Sequence, residues 1–201
     1  MKENDKELTP EKSLQLITSM IETTKNTIND SSHYFLLWGW AVCIGCFLHY
    51  YLKVIAQFPK FYYSWWVVTP VAIILHLIFV YRDSKKTKVR TYINEANAYL
   101  WTAICLSFVS LSFVFTKIGW QYSFPFYITF YSVGTFVSGS LIKFKPLIVG
   151  GLIGFALVIV SAFSSYDTQI LITAVSILIS YIIPGYRLRN EYKKQRQFAF
   201  Y

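Results

Sequence analysis

Residues 146–166 read PLIVGGLIGFALVIVSAFSSY, twenty-one consecutive positions without an Asp, Glu, Lys or Arg. A helix rising ~1.5 Å per residue needs about 20 apolar residues to cross a hydrocarbon core about 30 Å thick, and this run has that length. It does not alternate polar with apolar, as a barrel strand of about ten residues would. Within lipid the backbone must satisfy its own hydrogen bonds, so a run that is apolar on every face reads as helix. Five further intervals have the same character: 31–52, 61–81, 96–116, 118–142 and 168–186. The six together hold 129 of the 201 residues, and all 29 charged residues fall in the gaps between and beyond them. The expected fold is all-α: a polytopic membrane bundle of six transmembrane helices in three hairpins, preceded by an N-terminal amphipathic helix.

Composition excludes the soluble alternative. The chain is 55% hydrophobic and 14% charged, with a mean hydropathy of +0.42. A soluble domain carries about 25% charged residues, so this chain lacks the groups to cover a water-exposed surface. The net charge of +9 raises the question of nucleic acid, and its distribution answers it. Sixteen of the 19 Lys and Arg lie in 1–30, 82–95, 143–145 and 187–201, leaving Lys53, Lys60 and Lys117 for the other side. That asymmetry is the positive-inside pattern. It leads us to expect a multi-pass protein of the cell inner membrane with both termini cytoplasmic, and no nucleic-acid partner. Aromatic residues fit the same frame, since amphipathic rings prefer the headgroup level. Trp38, Trp40, Tyr81, Tyr99, Trp101 and Tyr186 belong to one boundary, and Tyr62, Tyr63, Trp65, Trp66, Trp120, Tyr122 and Tyr166 to the other.

The chain divides into a cytoplasmic segment (1–30), a six-span bundle (31–186) and a basic cytoplasmic tail (187–201). The first 30 residues are polar and have no apolar core of a cleavable leader. Thr9-Pro10-Glu11 reads as a helix start, with Thr as N-cap, Pro at the first helical position and Glu at the positive end of the dipole. Leu14, Ile17, Ile21 and Ile28 then form a narrow apolar stripe suited to a membrane surface, a partner or a second copy. The outer turns around 57–60, 117–121 and 167 are short. Of the inner connections, 82–95 (RDSKKTKVRTYINE) is a basic loop, whereas Lys143-Phe144-Lys145-Pro146 is a tight turn that makes spans four and five adjacent antiparallel neighbours. Pro70 is expected to kink the second span, and Pro184 with Gly185 to end the sixth.

Two sets of residues stand out as candidates. Arg82, Lys85, Lys86, Lys88 and Arg90 in the loop, and Arg187, Arg189, Lys193, Lys194 and Arg196 in the tail, are cations beside a membrane. Each can contribute about 1 kcal/mol of attraction to anionic headgroups. Gly134, Ser138 and Gly139 in the fourth span, and Gly150 and Gly154 in the fifth, are small residues at the spacing that lets helices approach closely. Their packing is expected either within the bundle or between subunits.

Catalytic and metal chemistry find little support. Cys43-x-x-Cys46 lies in the middle of an apolar run, where thiols stay protonated and pack as small hydrophobes. At ~1.5 Å per residue His76 and His49 lie roughly 20 Å apart in depth, so they do not share a metal or haem. No nucleophile elbow, metalloprotease motif, phosphate loop or carboxylate pair is present. We therefore expect no enzyme and no cofactor. His76 is expected to be a neutral histidine bonded to a neighbouring span. Asn97 and Thr102, with Thr129, Ser132, Thr135 and Ser138, either line a polar path or bond back to helix carbonyls.

Four segments carry a family resemblance: LTPEKS (8–13), FLLWGW (35–40), LIKFKPLIVGG (141–151) and IPGYRLRN (183–190). Through them the chain resembles a family of six-span inner-membrane proteins of Bacteroidetes-type bacteria that has no assigned activity. The resemblance implies topology and location and transfers no catalytic or binding residue. The function expected on these grounds is that of a non-catalytic membrane component acting through cytoplasmic-face contacts with anionic lipid, a protein partner or another copy of itself. The alternative is a small facilitator or channel for a neutral or apolar solute.

Overall fold

The computed structural model describes residues 14, 18, 32–85 and 92–198. They are helical, with no strand among the described residues. The helices are α1 (Ser32–Tyr50), α2 (Tyr63–Ser84), α3 (Tyr92–Ile118), α4 (Ser123–Leu141), α5 (Lys145–Ala162), α6 (Tyr166–Ile177) and α7 (Ile183–Phe198). A π-helical turn, Tyr51–Ile55, extends α1, and a second, Leu178–Ile182, joins α6 to α7. Five stretches are long and apolar enough to cross a membrane: Ser32–Ile55, Tyr63–Ser84, Tyr92–Ile118, Lys145–Ala162 and Tyr166–Glu191. These features are compatible with a membrane protein.

The fourth charge-free interval gives α4, which is not among those five. Its 19 residues include Ser123, Thr129, Ser132, Thr135, Ser138 and Ser140, which lower its hydropathy. The bundle accounts for this polarity. α4 packs along α5 and also touches α3 and α6, so its hydroxyls meet protein. Ser132, Thr135 and Ser138 are each at most 1% exposed.

The core is formed by α1, α4, α5 and α6 with the second π turn. α2 packs on α1 and α3 packs on α4, and these two successive helices share no substantial contact. Hence α2 and α3 flank the core and expose apolar side chains such as Trp66, Leu77, Leu106 and Phe113. The exposed hydroxyls of α3 are satisfied locally: Thr102, Ser107 and Ser110 donate to the carbonyl four residues back at 2.8–2.9 Å. Such back-bonding lets a hydroxyl face lipid without an unmet donor. Rings close the centre, with Tyr181 lying edge-on or tilted to Phe35, Trp101 and Tyr131 at centroid distances of 5.6–5.8 Å.

The α4–α5 hairpin follows from its turn. Lys143 adopts φ 54°, its N–H bonds to the Ser140 carbonyl, and the Phe144 N–H reaches the Gly139 carbonyl at 2.9 Å. This is the Schellman pattern that ends a helix through one left-handed residue. Pro146 then sits in the first turn of α5, where its missing N–H costs nothing. The two helices leave this turn in close contact. A Cβ at Gly151 would lie 2.8 Å from the backbone nitrogen of Phe136.

One proline expectation is corrected. Pro184 and Gly185 do not end the sixth span; the helix continues to Phe198. The π turn explains the continuation, because the Ile183 N–H bonds to the Leu178 carbonyl and the helix is widened just ahead of the proline. In a regular helix the Pro184 ring would collide with the carbonyl four residues back. The stretch from 187 to 198 is therefore helical. Pro70 lies within α2, which remains one element through it.

Candidate functional site

Antiparallel packing gathers the chemistry-bearing residues at two ends. At the first, His33 Nε2 lies 2.9 Å from Asp83 Oδ2, which also accepts from the Tyr34 hydroxyl at 2.9 Å. These contacts fix the start of α1 to the close of α2. One turn deeper, Trp38 Nε1 donates to His76 Nδ1 at 3.3 Å, so His76 is bonded to a neighbouring helix. The same end carries the α4–α5 turn and α7.

Around it stand the described basic candidates. Arg82, Lys85, Arg187, Arg189, Lys193 and Lys194 are exposed, as are Lys143 and Lys145. Lys85 Nζ sits 4.4 Å from the centre of the Tyr81 ring. Among the described residues the ion pairs are His33–Asp83 and Lys53–Asp167, and neither uses one of these lysines or arginines. The arrangement is a solvated positive surface drawn from α2, the α4–α5 turn and α7. Arg196 is carried on α7. Leu14 is helical and exposed, and the Thr18 hydroxyl donates to its carbonyl at 2.9 Å. Ile17, Ile21, Ile28, Lys86, Lys88 and Arg90 lie outside the described residues.

The opposite end is sparse in charge and held by a cluster with little local signal in the sequence. His49 is 2% exposed; its Nδ1 lies 3.3 Å from the Ser64 hydroxyl and its Nε2 3.4 Å from the Tyr166 hydroxyl. Phe61, Trp65 and Phe124 surround the imidazole with centroids at 5.1–6.3 Å. Lys53 pairs with Asp167 and lies 4.9 Å from the Tyr166 ring. One histidine thus ties α1, α2 and α6 together. Ser64 is as buried as His49, so the pair acts as a helix clamp. Its one sequence signal was Lys53 and Asp167, single charges of opposite sign at the same expected depth. A shallow cavity of about 310 Å³ lies beside the clamp, lined in part by Gln121, Phe126 and Gln169.

The small-residue candidates all face neighbouring helices of the same chain. Gly134 opposes Trp101 and Ile104, Gly139 opposes the backbone of Ile148, Gly150 opposes the backbone of Ser180, and Gly154 opposes the Ser132 hydroxyl. Ser138 donates to Asn97 Oδ1 at 2.6 Å and accepts from Trp101 Nε1 at 3.1 Å, joining α4 to α3. Thr129, Ser132 and Thr135 donate to their own helix carbonyls at 2.7–2.9 Å. Cys43 and Cys46 are buried, Cys105 is exposed, and all three are free thiols. No cluster of three metal-ligating residues occurs among the described residues.

Comparison of the chain with protein-family models, curated proteins and solved structures gives no match.

Proposed function

We propose that this chain is a six-span inner-membrane protein with both ends in the cytoplasm, acting without catalysis through contacts that its basic end makes with proteins or anionic lipid. The observation that carries this is the contrast between the two ends. Arg82, Lys85, Arg187, Arg189, Lys193 and Lys194 are exposed at one. At the other, Lys53 is paired with Asp167, which leaves Lys60 and Lys117 as the exposed cations there. Cations near an anionic leaflet are attracted by about 1 kcal/mol each, so the basic end is where binding energy is available. The resemblance to the six-span family and the positive-inside asymmetry support the same orientation. The facilitator alternative rests on the hydroxyls of α4, of which Thr129, Ser132 and Thr135 donate to their own helix carbonyls.

The test is purification from native membranes in gentle detergent, followed by mass spectrometry of what co-elutes. Full-length protein is compared with a variant lacking residues 1–30 and with an Arg187→Gln, Arg189→Gln, Lys193→Gln, Lys194→Gln variant. A stoichiometric protein or anionic lipid that is lost from either variant is the expected result. If both variants retain everything the full-length chain binds, the basic end is not the interaction surface.

A further inference from the structure

A groove of about 590 Å³ runs between α1 and α2 and opens to the side of the bundle. α1 lines it from His33 to Ile44 and α2 from Val67 to Phe79. At ~1.5 Å per residue those stretches are ~17–18 Å long, about half of a ~30 Å hydrocarbon core. The groove is therefore as long as one leaflet is deep. Its wall is aliphatic over most of that length, and Ala41 and Ala72 leave room where the neighbouring turns carry larger side chains.

The two ends of the groove differ. Toward Ile44 and Val67 it is purely apolar, whereas at the other end His33, Tyr186 and Arg189 form the mouth. Trp40 Nε1 donates to the Tyr186 hydroxyl at 3.3 Å, holding α7 beside α1 there. Asp83, the acidic group nearby, already accepts from Tyr34 and contacts His33. Arg189 is exposed and takes part in no ion pair among the described residues. An amphiphile fits this polarity: one acyl chain along the aliphatic wall and an anionic phosphate at the mouth. A guanidinium suits that phosphate because its planar fork can hold two oxygens at once.

We propose that the α1–α2 groove is a binding site for one anionic phospholipid, its acyl chain lying between Ile44 and Leu75 and its phosphate on Arg189. The inference rests on membrane insertion of the chain, and it assigns to one lipid class the contacts proposed for the basic end. α2 is held to α1 by Asp83, His76 and Ser64, and the groove is left between the two helices.

Native mass spectrometry of the full-length protein in gentle detergent tests it, with phosphatidylglycerol and phosphatidylethanolamine of matched chains and with glycerol phosphate alone. The expected result is preferential retention of phosphatidylglycerol at a stoichiometry of one, with no retention of glycerol phosphate. Arg189→Gln should reduce the preference about tenfold, the effect of losing one charge-assisted contact. Val71→Trp and Ile44→Trp fill the groove from positions that are 53% and 54% exposed, so the fold tolerates them, and each should abolish retention of both lipids. Equal retention of the two lipids, retention of glycerol phosphate alone, or retention unchanged by both tryptophans would overturn the site. Failure to recover the chain from membranes would instead overturn the underlying membrane assignment, so the two failures are distinguishable.

Discussion

At the scale of single residues, the hairpin turn is where the sequence and its energetics meet most directly. Lys143 holds φ 54° without being glycine, a conformation that costs an L-residue about 1–2 kcal/mol. Lys143→Gly removes that cost and adds unfolded-state entropy worth about 0.4–1 kcal/mol. The net expectation is a stabilisation of roughly 0.5–1 kcal/mol, read as a higher midpoint of thermal unfolding in detergent. The α4–α5 contact gives a sharper contrast. A Cβ at Gly154 would lie 2.2 Å from the Ser132 hydroxyl, and one at Gly151 would lie 2.8 Å from the Phe136 backbone. The hydroxyl can rotate and the backbone cannot, so Gly151→Ala should cost more than Gly154→Ala despite its longer contact. Overpacking of this kind costs about 1–3 kcal/mol. Ser132→Ala combined with Gly154→Ala should recover most of the Gly154→Ala loss, and equal unfolding midpoints for the two single variants would refute the ranking. The tight turn was legible from Lys143-Phe144-Lys145-Pro146. The His49 clamp was not, because its partners Ser64 and Tyr166 lie 15 and 117 positions away and nothing local marks them.

At the scale of elements, charge-free length located the helices, because a backbone in lipid has few alternatives to a helix. Length did not reveal how each helix is covered. α4 is too polar to be ranked with the other five by hydropathy, yet it lies between α3, α5 and α6. Its hydroxyls are met by its own carbonyls and by Asn97. Residues 118–142 placed alone as a test segment in a membrane-insertion assay should therefore insert in a smaller fraction than residues 146–166. Adding α5 behind them should raise that fraction. If the lone segment inserts as fully as residues 146–166, its hydropathy has been misjudged. The sixth span illustrates the opposite failing of local rules. Pro184-Gly185 carries the usual stop signal, but the π turn at Leu178–Ile182 alters the hydrogen-bonding register before the proline arrives. Proline marked a change of helix type here, and within the π turn the Ser180 hydroxyl donates to the Gly150 carbonyl of α5 at 2.8 Å.

At the scale of the molecule, the antiparallel contacts assemble what the charge pattern had only sorted. Asp83 bonds to the start of α1 and Asp167 to Lys53 in the turn that extends its far end, so α2 closes beside the start of α1 and α6 begins beside its end. A sorting rule based on Lys and Arg alone is thus consistent with a geometry built from hydrogen bonds and rings. The orientation of that assembly in a cell is directly measurable. In a background with Cys43, Cys46 and Cys105 replaced by Ala, a single cysteine is introduced by Lys60→Cys, Gln121→Cys, Lys85→Cys or Lys143→Cys, all at exposed positions. A membrane-impermeant thiol reagent applied to intact spheroplasts should label the first two. With the basic end on the cytoplasmic side, as proposed, the last two should react only after the membrane is opened. Labelling of Lys85→Cys together with Lys60→Cys from outside would break the antiparallel frame itself. Labelling of the Lys85→Cys and Lys143→Cys pair alone would keep the frame and invert it, moving the basic end and the mouth of the α1–α2 groove to the outer leaflet.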